Sequence, residues 1–526
     1  MARYLIGLFA AAAIATAPGV ARPIAQSPNV EAVLTTFWSA GSPGDAARVV
    51  DAIVQTRVAF DDAYRRLKQG RPHGSQKGGL IRLSNRTEDG VEHHFALNVP
   101  ATYDPGRKYQ ARFHLHGGVM MRQTNAPPSS GGAIGALEGA EQIDIVPFSW
   151  QDAPWWGDDQ LLNLRAILDT AKRSYNIDEN HVVVSGVSDG GTGAYYVAMR
   201  DTTPYASFLP LNGFIMVLAN RDLGINSPLY PNNIRNKPLF AVNGGRDPLY
   251  PTARVDPYMD HFKRNGVVVE YQPQPNAGHN TSWWPQVKDQ FATFARGHAR
   301  NPLPDTLTWE TSDPKTHNRA HWLVIDALGK ARAEAQSLPD LNEMVGPPEP
   351  DFGVRGVGAR INRVVPGSNA DRIGVKAGDA LVRLNGETVH VGVDVAEVLE
   401  DIKPGSEITL LVARNNAPLE LRGRYEPQLV TPLPRQLFDR TLPSGRVDLT
   451  RSGNTVTATT RGVTGFTLLL SPDQFDFGKP VKVVANGETV FDKKVEKNLR
   501  TLLKWAALDN DRTMLFGAEV HIDLVR

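Results

Sequence analysis

Three short segments of the chain carry side chains suited to nucleophilic acyl chemistry. The first is Val184-Ser185-Gly186-Val187-Ser188-Asp189-Gly190-Gly191, a G-x-S-x-G with an apolar run before it and a helical run from Gly191 to Met199 after it. A serine on such a strand-to-helix turn is held up at the C-terminal edge of a sheet, with glycines beside it because strand and helix crowd the turn. A hydroxyl is a poor nucleophile until a base accepts its proton. His279, in Asn276-Ala-Gly-His279, follows the apolar run at 267–271 and is the candidate base. Asp247, in Asn243-Gly-Gly-Arg-Asp247, follows the run at 239–243 and is the candidate acid. Asp247 would hold the imidazole tautomer and stabilise the imidazolium without itself taking the proton. The chain order Ser188, Asp247, His279 is the one expected when each residue ends a successive strand of one sheet.

Acyl transfer also needs N–H donors for the developing oxyanion. The sequence offers the N–H of Asp189, directly after the serine, and the loop Gly117-Gly118-Val119 behind the strand ending His114-Leu115-His116. His114 and His116 lack a nearby acidic cluster, so no metal site is expected there, and the chemistry needs no cofactor. His93-His94 reads as a solvated strand end. Trp150, Trp155, Trp156, Trp283 and Trp284 lie near these loops in sequence, either walling a substrate pocket or simply packing.

The elements that must position these residues alternate. Strands are expected over Tyr109–His116, Ile143–Phe148, His181–Gly186, Leu239–Asn243 and Val267–Tyr271. Leu161, Leu164, Leu168 and Ala171 mark a helix, and another runs through Tyr258 and Phe262. Such alternation predicts an α/β fold with a mostly parallel sheet covered on both faces. An accessory helix is expected over Gly44–Leu67.

The chain has 526 residues, enough for three or four domains. Lys+Arg 57 against Asp+Glu 56 leaves no field to draw it to nucleic acid. With no cysteine, disulfides and thiolate chemistry are excluded. Arg3, the apolar run Tyr4–Ala17 and the small residues Gly19-Val20-Ala21 read as a secretory leader over 1–21. The alternative, an uncleaved anchor, is disfavoured because the run is shorter than the ~20 residues a span needs. The expected product is periplasmic or secreted, without stable membrane insertion. Pro-bearing stretches at 336–350 and 427–444 read as linkers, dividing the rest into 27–335 (the α/β domain with its helical extension), 351–426 and 445–526. The last reads as a β-sandwich-like accessory module. Its Asn486-Gly487 between apolar runs signals a hairpin.

Residues 80 to 330 resemble α/β-hydrolase serine esterases of the dienelactone-hydrolase, polyhydroxybutyrate-depolymerase and prolyl-oligopeptidase-like group. The matching pieces are Val99-Pro100, Tyr103-Asp104-Pro105, Leu115-His116-Gly117-Gly118, the Gly186–Gly191 motif, Gly245-Arg-Asp247-Pro-Leu-Tyr and Gly278-His279. The resemblance implies Ser188 as nucleophile, Asp247 as orienting acid and His279 as base, acting on an ester. Asp189 stands where Met, Gln or Ala is commoner, which places a carboxylate near the site. Residues 351–426 resemble PDZ domains of the bacterial protease-associated kind, through Val364-Val-Pro-Gly-Ser368-Asn-Ala370, Ile373-Gly374, Gly378-Asp379 and Asn385-Gly386. That likeness implies capture of peptide C-termini by strand addition, with the loop Phe352-Gly353-Val354 receiving the carboxylate. A purely structural module is the alternative. For the whole chain, a peptidase and a non-catalytic scaffold stand as rivals to the esterase.

Overall fold

The computed structural model describes residues 29–87, 90–129, 142–220, 225, 229–329, 349–389, 395, 398–399, 402–426, 428–430 and 442–524. The leader at 1–21 lies outside them, as do all but the ends of the two linkers. Among the described residues no helix is long and apolar enough to cross a membrane.

The catalytic candidates sit on an eight-stranded sheet. Its strands are β1 (Gly79–Arg86), β2 (Glu92–Val99), β3 (Tyr109–Leu115), β4 (Gln142–Pro147), β5 (Ile177–Val187), β6 (Ser207–Leu211), β7 (Leu239–Gly244) and β8 (Val269–Gln274). They lie in the order β1-β2-β4-β3-β5-β6-β7-β8. β1 and β2 form an antiparallel hairpin, β2 runs antiparallel to β4, and every pair from β4 to β8 is parallel. This is the order of an α/β-hydrolase sheet.

Parallel central strands are buried on both faces, so they read as unbroken apolar runs. On β7, Leu239 and Ala241 join the larger core shared with Val255, Met259 and Phe262. Phe240 and Val242 turn the other way, toward Phe291 and Phe294. The covering helices are α4 (Asp158–Ser174), α5 (Asp189–Arg200), α6 (Thr252–Arg264) and α7 (Trp284–Gly297), preceded by α1 (Val30–Ser39), α2 (Pro43–Gln55) and α3 (Phe60–Gln69). The single helix expected over Gly44–Leu67 is thus two, broken near Arg57, whose φ is +57°. β6 gave no clear signal because Pro210 interrupts it. Proline lacks an N–H and is rare in central strands.

The expected domain boundary at 335 needs correction. Thr306–Thr311 pairs with Gly445–Ser452, setting Trp309 opposite Val447, and Leu323–Leu328 pairs with Val463–Leu470. These strands share one core with Trp322, Phe466 and Phe516. Residues 306–328 therefore complete the C-terminal β module, and 445–526 is not self-contained. The PDZ segment, with its own core around Ile361, Leu381 and Leu410, lies in the chain between the module's two parts. Pairing across such a separation leaves no local trace. The helix Leu499–Asp509 packs its apolar side on α1–α3, which ties the N-terminal extension to the same module. The Asn486-Gly487 turn, with φ of +52° and +88°, links the paired strands Val481–Ala485 and Glu488–Lys493.

Candidate active site

Ser188 directly follows β5 with φ +56° and ψ −119°, a backbone conformation that costs energy for a residue with a side chain. Its N–H donates to the Leu211 carbonyl of β6 at 2.9 Å, which anchors the turn. Glycine is required on both sides. A Cβ on Gly186 would overlap the Gly190 carbonyl, and one on Gly190 would overlap the Leu115 carbonyl of β3. The close contact of strand and helix thus holds the hydroxyl above the sheet edge.

His279 reaches that hydroxyl from the loop after β8. Its Nε2 lies 2.8 Å from Ser188 Oγ, and its Nδ1 lies 2.8 Å from Asp247 Oδ2. Asp247 is fully buried, and its other oxygen accepts from the N–H groups of Leu249 and Tyr250 at 2.8 and 3.0 Å. Both carboxylate oxygens are therefore satisfied, and the acid stays fixed in one orientation. The Tyr250 ring meets the imidazole edge-on at 5.6 Å between centroids. Asn212 is a supporting residue that the sequence reading missed. It follows β6 with φ +47°, and its Nδ2 donates to the Asn280 carbonyl at 2.8 Å, bracing the histidine loop. Its signal, an Asn before Gly213, is too common to single out.

The donor loop departs from expectation at one residue. Gly117 lies against the nucleophile, where a Cβ would stand 2.9 Å from Ser188 Cβ. Gly118 turns the chain with φ +65°. The N–H of Val119, however, donates to Asp189 Oδ2 at 2.7 Å, and its side chain is buried, so it is not free for an oxyanion. Burial raises the Asp189 pKa above the ordinary carboxylate value, while the Val119 N–H and the nearby His279 charge oppose that rise.

His116 supports the loop from the other side. Its Nε2 accepts from the Ser149 N–H at 3.0 Å, so Nδ1 carries the proton and faces the Gly117 carbonyl at 3.0 Å. Burial holds this imidazole neutral, with a pKa lowered to about 4. Trp155 Nε1 donates to the His116 carbonyl at 2.8 Å.

The remaining candidates are structural. His114 lies buried between Arg112 and Asp144, 2.7 Å from the latter. Among the described residues no three His, Asp or Glu side chains are grouped to hold a metal. His93 is buried against Trp150 rather than solvated, because β2 is an interior strand. Trp150, Trp155, Trp156 and Trp283 are buried, and Trp284 packs on Phe291. In the PDZ-like segment Phe352 lies in the core. The Gly353 N–H is already taken by Asp351 Oδ1 at 2.8 Å, so it is not a free donor for a peptide carboxylate. Val354 starts the strand Val354–Val357, which forms one edge of its sheet.

Parts of the chain are similar to known proteins. A family model for PDZ domains matches residues 360–414. A stretch of 64 residues is 36% identical to the periplasmic pH-dependent serine endoprotease DegQ of Escherichia coli (strain K12), covering 12% of this chain and 14% of that one. A stretch of 252 residues is 25% identical to probable feruloyl esterase C of Aspergillus terreus (strain NIH 2624 / FGSC A1156), covering 43% of this chain and 86% of that one. The chain thus spans a small part of the protease and most of the esterase. The crystal structure of a thermostable esterase aligns with a TM-score of 0.33 and 21% identity, over 42% of this chain and 63% of that one. The chain thus carries a sheet with the strand order of an α/β-hydrolase, and residues 360–414 match a PDZ domain.

Proposed function

We propose that this chain is an exported hydrolase of carboxylic esters that works through Ser188, His279 and Asp247 by way of an acyl-enzyme. The reading rests on one observation, the unbroken pair of 2.8 Å contacts from Asp247 through His279 to Ser188. His279 Nε2 takes the hydroxyl proton as Ser188 Oγ attacks the carbonyl carbon. Asp247 holds the proton on Nδ1 and stabilises the imidazolium. The tetrahedral oxyanion is received by the N–H of Asp189 and by the Gly117–Gly118 segment. The imidazolium then protonates the departing alkoxide, and water activated by the same histidine releases the acid. The scheme requires no metal and no organic cofactor.

The PDZ domain supports a second role, capture of extended peptide C-termini along the edge strand Val354–Val357. A rival reading, in which the scissile bond is a peptide, is favoured by the 64-residue likeness of this chain to a periplasmic serine endoprotease. Export is inferred from the apolar leader and is checked by N-terminal sequencing of the mature protein, where an intact Met1 argues against cleavage.

Paired kinetics on a nitrophenyl acyl ester and on peptide amides test the reaction. Preference for the amides would replace the esterase with a peptidase. Failure of a fluorophosphonate to label Ser188 in folded protein would leave a scaffold.

A further inference from the structure

We propose that Asp189 is a positioning residue whose carboxylate ties the Gly117–Met121 loop to the first turn of α5, setting the spacing of the oxyanion donors. The inference rests on the acyl-transfer reading above. The two donor segments come from sequence positions far apart. One is the loop after β3, and the other is the start of α5, where Asp189 contributes its own N–H. A bond between them is needed because oxyanion donors act only when fixed at the distance the transition state demands.

The carboxylate supplies that bond. Val119 N–H donates to Asp189 Oδ2 at 2.7 Å across 70 positions of chain. A hydrogen bond to an ionised acceptor is among the stronger kinds. The φ of +65° at Gly118 turns the chain into that arrangement. On its far side the loop is held through the Gly117 carbonyl, which receives His116 Nδ1. Its outer side is open, with Met121 71% exposed and Met120 39%. The carboxylate is thus the tether facing the nucleophile.

A merely stabilising role at a helix start is the competing explanation, since an acidic residue there also favours the helix dipole. The two roles differ in what a neutral isostere does. Asparagine keeps an oxygen that accepts the Val119 N–H but carries no charge. Alanine and serine cannot reach it.

The test measures kcat and KM on a nitrophenyl acyl ester for full-length wild type, Asp189→Asn, Asp189→Ala and Asp189→Ser, with fluorophosphonate labelling alongside. Asp189→Ser keeps a polar start to the helix and serves if the alanine variant does not fold. Alanine and serine are expected to lower kcat about 10–100-fold, with KM within about threefold. Asparagine, which keeps one accepting oxygen, is expected to lose less kcat than alanine does. Unchanged kcat in the serine or alanine variant overturns the proposal. So does a loss confined to KM, or asparagine no better than alanine. A wild type that neither hydrolyses nor labels would instead overturn the acyl-transfer reading, and this inference with it.

Discussion

Arg300 and Asp511, 211 positions apart, meet at 2.7 Å with both side chains fully buried. Arg300 follows α7, and its other donors reach Asn180 Oδ1 at 2.9 Å and the Thr203 carbonyl at 3.2 Å, both in the α/β part. Asp511 belongs to the C-terminal module, and Lys172 of α4 stands 3.8 Å away. One charged pair therefore pegs the β module to the α/β domain.

Removing one member should be costly. Breaking a buried pair leaves an uncompensated charge, at roughly 3–5 kcal/mol. Arg300→Met is expected to lower stability by about that amount in urea denaturation, and Asp511→Asn by less, because an amide still accepts hydrogen bonds.

The same pair predicts a pH dependence. Burial alone would raise the Asp511 carboxyl, but Arg300 and Lys172 hold it well below the usual range. A depressed folded pKa means the unfolded chain binds more protons, so this stability is present above about pH 4. It is lost as the pH falls below that value toward the depressed folded pKa. Denaturation midpoints measured between neutral and acid pH should show that loss in the wild type and a shallower slope in Asp511→Asn.

Asp247→Asn should leave the fold intact and remove most of the activity. An amide donating toward Nδ1 would favour the wrong imidazole tautomer, a change worth about 10⁴ in turnover in an analogous triad. Steady-state kinetics with a nitrophenyl ester, beside an unchanged thermal melt, checks it. Asp247→Ala should also melt earlier, because it abandons the N–H groups of Leu249 and Tyr250.

The glycines of the serine turn are predicted to be intolerant. Gly190→Ala drives a methyl into the Leu115 carbonyl, and Gly186→Ala drives one into the Gly190 carbonyl. Backbone cannot swing away as a side chain can, so a loss of at least about 1–3 kcal/mol is expected. Gly74→Ala, with nothing within 4 Å of its Cβ, is the control that should melt like the wild type.

The PDZ domain should distinguish free C-termini from amidated ones when peptides are titrated against the full chain. Gly353 has φ +90°, and a Cβ there would overlap Ser368 Cβ, so Gly353→Ala is expected to abolish that binding while ester hydrolysis persists. Equal weak binding of both peptide forms would refute carboxylate capture.

The sequence alone singled out the candidate residues and most of the sheet. Ser188, Asp247 and His279 each follow an apolar run, and a buried parallel strand writes itself into sequence as such a run. The PDZ segment was legible for a similar reason, since its glycine turns repeat a local pattern. What only the tertiary structure decided depends on partners distant in the chain. Thr306–Thr311 looked like the tail of the α/β domain, yet its hydrogen bonds go to Gly445–Ser452. β6 was hidden by Pro210, which has no N–H for the ladder and yet stands opposite Gly186 of β5. The N–H of Val119 looked available to substrate until folding brought Asp189 to it. Periodicity reports which face of an element is buried, whereas a hydrogen bond between distant segments is set by where the whole chain puts them.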